Sequence, residues 1–251
     1  MAKIEHIRQK PKTREKLSLL KRILLIILVF IIALLSTVAF AYSRYLYPTG
    51  MIMQGIYAIR NDRNGTPMVN FFIMQAGEKY IAFDTGSDST QTQNALQRLG
   101  ISASDVIAVF LTHSDWDHIG SLDLFYNTTL YTGITEFQYA RRGRGLPNLP
   151  DFELPDITHK IMSDGETIEL YGRSIQCIYT AGHTSDSVSF LVDGRYLFVG
   201  DLLINPRLAY YNEDFQRLNL EMALNMEGVE YVFTGHFGLF RNIRFFRWWW
   251  L

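Results

Sequence analysis

Residues Leu111 to Gly120 read LTHSDWDHIG, which places His113, Asp115, Asp117 and His118 within six positions. They follow the apolar run Val106-Ile107-Ala108-Val109-Phe110-Leu111, so they stand at the C-terminal end of a buried strand. In α/β sheets that end is where ligands collect. Imidazole nitrogen and carboxylate oxygen are the usual donors to zinc, iron and manganese. Four such donors on one tight loop cannot all reach a single ion, but they can serve two ions a few ångströms apart.

The remaining histidines extend the pattern. Of six in the chain, His6 lies in a basic N-terminal tail and His159 in what reads as a surface loop. His183 follows IYTAG, His236 follows YVFTG, and Asp201 follows YLFVG. Three segments therefore end alike, in an apolar strand, a glycine and a metal-capable side chain. A pair of ions needs about six or seven donors. His183 and His236 would complete the two shells, with Asp201 bridging.

These motifs resemble the metallo-β-lactamase-fold superfamily, whose hallmark Thr-His-x-His-x-Asp-His here reads Thr112-His113-Ser114-Asp115-Trp116-Asp117-His118. Phe83-Asp84-Thr85-Gly86, Ala181-Gly182-His183-Thr184, Val199-Gly200-Asp201 and Thr234-Gly235-His236 follow in family order. The resemblance implies an αββα four-layer sandwich. One metal would be held by His113, Asp115 and His183, and the other by Asp117, His118 and His236, with Asp201 between them. It also implies proton transfer at Asp117 and a supporting role for Asp84 beneath the ligand loop, the kind of partner that metal-binding histidines need.

Asp115 departs from the hallmark, which has histidine there. A carboxylate still ligates, hardens the site towards oxygen-loving ions and adds a negative charge. Zinc heads the expectation for the two divalent ions, with iron and manganese admitted. The flavodiiron proteins, which resemble this choice with a glutamate, use iron, but no flavin-binding pattern follows here. Many class B lactamases carry a lysine three residues after the bridging ligand, where this chain has Ile204. The leading expectation is a hydrolase of ester, lactone, amide or phosphodiester bonds in a small-molecule substrate. An iron-dependent oxygen or sulfur redox enzyme and a non-catalytic metal-binding domain are the alternatives.

The elements that must position these residues read as one α/β domain over residues 51–240. Ile52–Ile59, Val69–Gln75, Tyr80–Phe83, Asp105–Leu111 and Leu130–Thr132 have strand character, with a turn at NDRNG. Ser89–Leu99 reads as a helix stopped by Gly100, and Ile134–Ala140 as another. Glu166–Val199 is strand-rich, with turns at Asp164-Gly165, Tyr171-Gly172 and Asp193-Gly194. Phe215–Met226 is a helix and Tyr231–Phe233 a last strand. Two strand-rich halves, each followed by helical pattern, suggest two sheets face to face with helices outside. Arg141, Arg142 and Arg144 open a long loop and could hold an anionic substrate group. Tyr210 and Tyr211 could line a pocket, and Trp116 could form its wall.

The net charge of −1 divides unevenly, with +6 over residues 1–22 and −7 over the rest. So acidic a catalytic region is not that of a nucleic-acid binder. The single cysteine, Cys177, excludes an intramolecular disulfide and a cysteine zinc cluster. Residues 1–22 read as a cytoplasmic tail and residues 23–41 as a transmembrane anchor, about 28 Å long as a helix. Residues 42–50 would be a linker to a domain outside the cytoplasm. A signal peptide cleaved near Ala41 is the alternative. Residues 241–251, RNIRFFRWWWL, interleave tryptophan with arginine and could dock on the bilayer.

Overall fold

The computed structural model describes residues 12–43, 46–133, 157–203 and 212–241. The chain divides into two compact units, residues 1–44 and 45–251. In the first, α1 (Lys12–Ser43) is a helix of 32 residues. Its described side chains, residues 21–37, expose a continuous apolar surface from Ile23 to Leu35. Among the described residues no helix is long and apolar enough to cross a membrane.

The second unit is built on two sheets. The first runs in chain order: β1 (Gly50–Met53), β2 (Ile56–Arg63), β3 (Thr66–Ala76), β4 (Lys79–Phe83), β5 (Val106–Phe110), β6 (Thr129–Thr132) and β7 (Thr158–Ile161). Pairing is antiparallel from β1 to β4 and parallel from β4 to β7. The second holds β8 (Thr167–Leu170), β9 (Arg173–Tyr179), β10 (Val188–Val192), β11 (Tyr196–Phe198), β12 (Tyr231–Thr234) and β13 (Gly238–Arg241), in the order 13-12-11-10-9-8. The helices of this unit are α2 (Ser89–Leu99), the single turn α3 (Trp116–Ile119) and α4 (Glu213–Asn225).

Side chains alternate across a strand, and here that alternation separates the layers. Phe72 and Met74 of β3 join Phe83, Phe110, Phe190, Phe198 and Phe233 in the core between the sheets. Phe71 and Ile73, one step out of phase, join Ala95, Leu96, Ile119 and Leu122 beneath the helices of the first sheet. Leu197, Val199 and Val232 pack with Leu220 and Ala223 of α4 on the outer face of the second. Both faces of the central strands are thus covered, which is why β3, β5, β11 and β12 read as apolar runs, while the edge strands β7 and β8 stay largely exposed. The inner core is aromatic: Phe83 stacks on Phe198 at 3.7 Å between ring centroids, and Phe198 on Phe233 at 4.4 Å.

At one end the sheets are tied through the main chain. The Asn70 amide donates to Gly235 O at 2.7 Å, and the Val188 amide to Thr112 O at 2.9 Å. At the opposite end the tie comes from a side chain, Arg173 Nε donating to Gln75 O at 3.0 Å.

Several boundaries differ from the sequence expectation. Ile52–Ile59 is not one strand, because Gly55, at φ 74°, turns the chain between β1 and β2. The NDRNG turn is confined to Asn64-Gly65, where both residues have positive φ as a two-residue hairpin turn requires. Asn61 instead lies in β2, fully buried, and its Oδ1 accepts from the Ser87 and Asp88 amides. His159 is not in a surface loop but in β7, 3.1 Å from Thr132 Oγ1. Leu46 is buried and Tyr47 exchanges hydrogen bonds with Asn70, so the folded unit reaches into the expected linker. The helix expected at Ile134–Ala140, the arginine loop, Ile204, Tyr210, Tyr211 and residues 242–251 lie outside the described residues.

Candidate metal centre

Parallel strands end on the same edge of a sheet, and most of the expected site residues follow such an end. β4 leads into Asp84, β5 into His113 and the α3 turn, β11 into Asp201, and β12 into His236. His183 follows β9 and joins them across the sandwich. The structure brings His113, Asp115, Asp117, His118, His183, Asp201 and His236 together. They form three overlapping groups with ligand atoms within 4.8 Å of one another: His113, Asp115 and His183; Asp117, His118 and His236; and His113, His118 and Asp201.

Asp201 touches both outer groups. Its Oδ1 is 3.2 Å from His118 Nε2, while its Oδ2 lies 3.6 Å from His113 Nε2 and 3.3 Å from the Nε2 atoms of His183 and His236. Asp115 Oδ2 is 3.1 Å from His183 Nε2, and Asp117 Oδ2 is 3.3 Å from His236 Nε2. The carboxylate at position 115 therefore occupies a ligand's place, turned towards the same point as its neighbours.

Support comes from behind. Asp84 sits at φ 62°, a backbone conformation that costs energy outside glycine and tends to be kept where it serves a site. Its carboxylate accepts from the Thr112 amide at 2.8 Å, from Thr112 Oγ1 at 2.8 Å and from His118 Nδ1 at 2.8 Å. A carboxylate only accepts, so Nδ1 carries a proton and Nε2 is turned towards the cluster. His236 is oriented by Met68 O, 2.7 Å from its Nδ1. Met68 escapes sequence reading because the acting group is a backbone carbonyl. Gly235 is small because it must be: a Cβ there would lie 2.7 Å from His118 Cε1 and 2.8 Å from Asp201 Oδ1.

The charges of the cluster answer one another. Burial opposes ionisation of Asp115, but a hydrogen bond from His183 and the field of His113 bring its carboxyl down to about 2. Asp201 and Asp117 are held below the usual carboxylate range against burial, Asp201 by His236 and His118, Asp117 by His118 and His236. His118 and His236 are raised well above an ordinary imidazole, again against burial, chiefly by Asp201. His113 goes the other way, lowered by burial and by the charge on His118. Protons on two imidazoles thus balance carboxylates in a buried place, which is the balance that cations would take over. His113 Nε2, His118 Nε2 and Asp201 Oδ1 are moreover buried without a hydrogen-bond partner. A buried polar atom left unpaired costs about 1–3 kcal/mol. Three of them converging on one point fit a site for divalent cations.

Comparison with known proteins agrees with this geometry. The model of a family described as the metallo-beta-lactamase superfamily matches residues 64–236. The beta-lactamase-like protein 2 homolog of Drosophila melanogaster is 24% identical over 199 residues, covering 75% of this chain and 61% of that protein. An N-acyl homoserine lactonase from a Bacillus species is 27% identical over 159 residues, covering 57% of this chain and 60% of the lactonase. The chain thus spans less than two thirds of the length of either relative. A metallo-beta-lactamase family protein from Thermus thermophilus has the same fold, with a TM-score of 0.61 at 20% identity over 77% of each chain.

Proposed function

The chain belongs to the metallo-beta-lactamase superfamily, and from that premise we propose that it is a metal-dependent hydrolase with a dinuclear His/Asp centre. Its substrates would be small molecules with an ester, lactone, amide or phosphodiester bond. The observation that carries this reading is Asp201, whose two oxygens face the ligands of both outer groups. The lactonase among the relatives supports hydrolysis of an acyl bond. Divalent ions held there would supply Lewis acidity towards a carbonyl or phosphoryl oxygen and an activated water at neutral pH.

The chain's own residues divide the remaining work. His113, Asp115 and His183 would hold one ion, and Asp117, His118 and His236 the other. Asp84 and the Met68 carbonyl fix the ring orientations of His118 and His236. We assign proton transfer to Asp117, as the family resemblance implies; at 11% exposure it keeps partial solvent contact, as Asp115 does at 18%, while Asp201 has 4%. Three carboxylates in the donor set keep iron and manganese admissible beside zinc. We further propose that α1 anchors the hydrolase outside the cytoplasm. The basic residues before the apolar run and the exposed surface from Ile23 to Leu35 support that placement.

The test is elemental analysis of the full chain in detergent beside Asp115→Ala and Asp117→Asn. About two metals per chain in the wild type, about one in Asp115→Ala, and loss of at least about a hundredfold in hydrolysis by Asp117→Asn are expected. A folded, metal-supplied wild type that binds no metal would end the hydrolase reading.

A further inference from the structure

The cations of the second unit are mostly spoken for. Arg60 pairs with Asp62, Lys79 with Asp105, Arg173 with Asp193, Arg195 with Glu230 and Arg217 with Glu213. Arg63 is different. It ends β2 at the tip of the β2–β3 hairpin, opposite Thr66 across the Asn64-Gly65 turn, and it is exposed. Among the described residues it makes no ion pair, and its guanidinium lies 5.3 Å from the centroid of the Trp116 ring.

That position borders the metal centre. Trp116 stands between Asp115 and Asp117, and Met68, two residues beyond Thr66 on the same hairpin, holds His236. The ligands open to solvent are those three: Asp115 at 18%, His236 at 17% and Asp117 at 11%, against 4% or less for His113, His118, His183 and Asp201. Among the described residues, the solvent-open side of the cluster therefore faces the α3 turn and this hairpin.

We propose that Arg63 is a specificity-determining residue, docking a carboxylate carried by the substrate away from the bond that breaks. The inference rests on the hydrolase reading above and adds the substrate class to it. A guanidinium over an indole ring is attracted to the ring face, and its N–H donors form a fork that matches a planar carboxylate. The indole lowers the conformational cost of engagement, because the side chain is already restrained before substrate arrives. The ligand set makes such a group useful: with Asp115, Asp117 and Asp201 among the donors, the mouth offers little attraction to an anion unless a fixed cation stands beside it.

The test uses thiols that the metals would take up, so that it does not depend on turnover. The zinc-loaded full chain is titrated calorimetrically with 3-mercaptopropionate and 4-mercaptobutyrate and with the methyl ester of each. Wild type is expected to bind the better acid about tenfold more tightly than its ester, the worth of one charge-assisted hydrogen bond. In Arg63→Gln that preference should shrink to about twofold or less, with ester affinity and metal content unchanged. Arg63→Lys should retain an intermediate preference, and salt should weaken it in the wild type. Equal binding of acid and ester by the wild type would overturn the proposal while leaving the metal centre intact. A loss of acid and ester affinity together in Arg63→Gln would also overturn it, because Arg63 would then only brace Trp116. Failure of every thiol to bind would remove the hydrolase reading, and this inference with it.

Discussion

Replacing Asp84 tests how the metal centre is assembled, because its carboxylate is spent wholly on other residues. In Asp84→Ala, the Thr112 amide, Thr112 Oγ1 and His118 Nδ1 lose an acceptor in a fully buried place. The hydroxyl can turn to His113 Nδ1, already 3.1 Å away, so two donors are stranded. At about 1–3 kcal/mol each, the cost to the metal-free fold is about 2–6 kcal/mol, a large share of a domain's total stability. Asp84→Asn should behave differently. Its amide oxygen still accepts from Thr112, but the position facing His118 Nδ1 becomes an NH2 donor. The imidazole must then accept at Nδ1 and carry its proton at Nε2, the atom that faces Asp201. We expect Asp84→Asn to lose only about 1 kcal/mol in guanidinium denaturation, yet to bind zinc about 10–100-fold more weakly in competition with a chromophoric chelator. Wild-type zinc affinity in Asp84→Asn would refute the tautomer argument. Equal destabilisation by the two variants would refute the account of the stranded donors.

Two further outcomes follow from the site. Gly235→Ala should put a methyl group against His118 and Asp201; we expect metal content to fall by at least half at a cost of about 1–3 kcal/mol in stability, measured by elemental analysis and denaturation. The metal-free and metal-loaded proteins should respond oppositely to pH. His118 and His236 have raised folded values, so their contribution is complete below about 6.5 and is lost as pH rises through those values. Asp115, lowered to about 2, contributes above about 3.8 and loses that contribution as pH falls towards 2. His113, lowered, works against the two raised histidines below about 6.5. Two groups outweigh one, so chelator-treated protein should be less stable at pH 8.5 than at pH 5.5. Metal-loaded protein should show the reverse, because binding displaces those protons.

The residues that the fold gathers into one cluster were legible because metal-capable side chains are of few types, and strand ends announce themselves by apolar runs closed with glycine. The same holds for α2, where Asp88 caps the Gln91 amide and Gly100 closes the helix in the left-handed conformation. What could not be read were roles defined by partners distant in the chain. Asn61 looks like a turn former until Ser87 and Asp88 are brought to it. Asp84 has the look of a simple turn residue in Asp-Thr-Gly; the family resemblance implied its supporting role, and the fold adds which groups, Thr112 and His118, lean on it. Gly235 does not advertise the crowding that requires it, and β13 escapes sequence reading because Gly238-Leu239-Phe240-Arg241 holds only two apolar residues between a glycine and a charge.

The unequal ties at the two ends of the sandwich bear on how fast ions come and go. At the ligand end the sheets are joined by amide-to-carbonyl bonds from Asn70 and Val188, both running into ligand loops. At the far end the bond comes from the half-buried, long-stemmed Arg173. Local opening takes the least expensive route, so the sandwich should breathe like a shell hinged at its metal end. The cage would stay shut through most such excursions. Ion exchange would then be timed by the loops beside the cluster, Arg63 and Trp116 among them, and would remain slow even where the far edge opens.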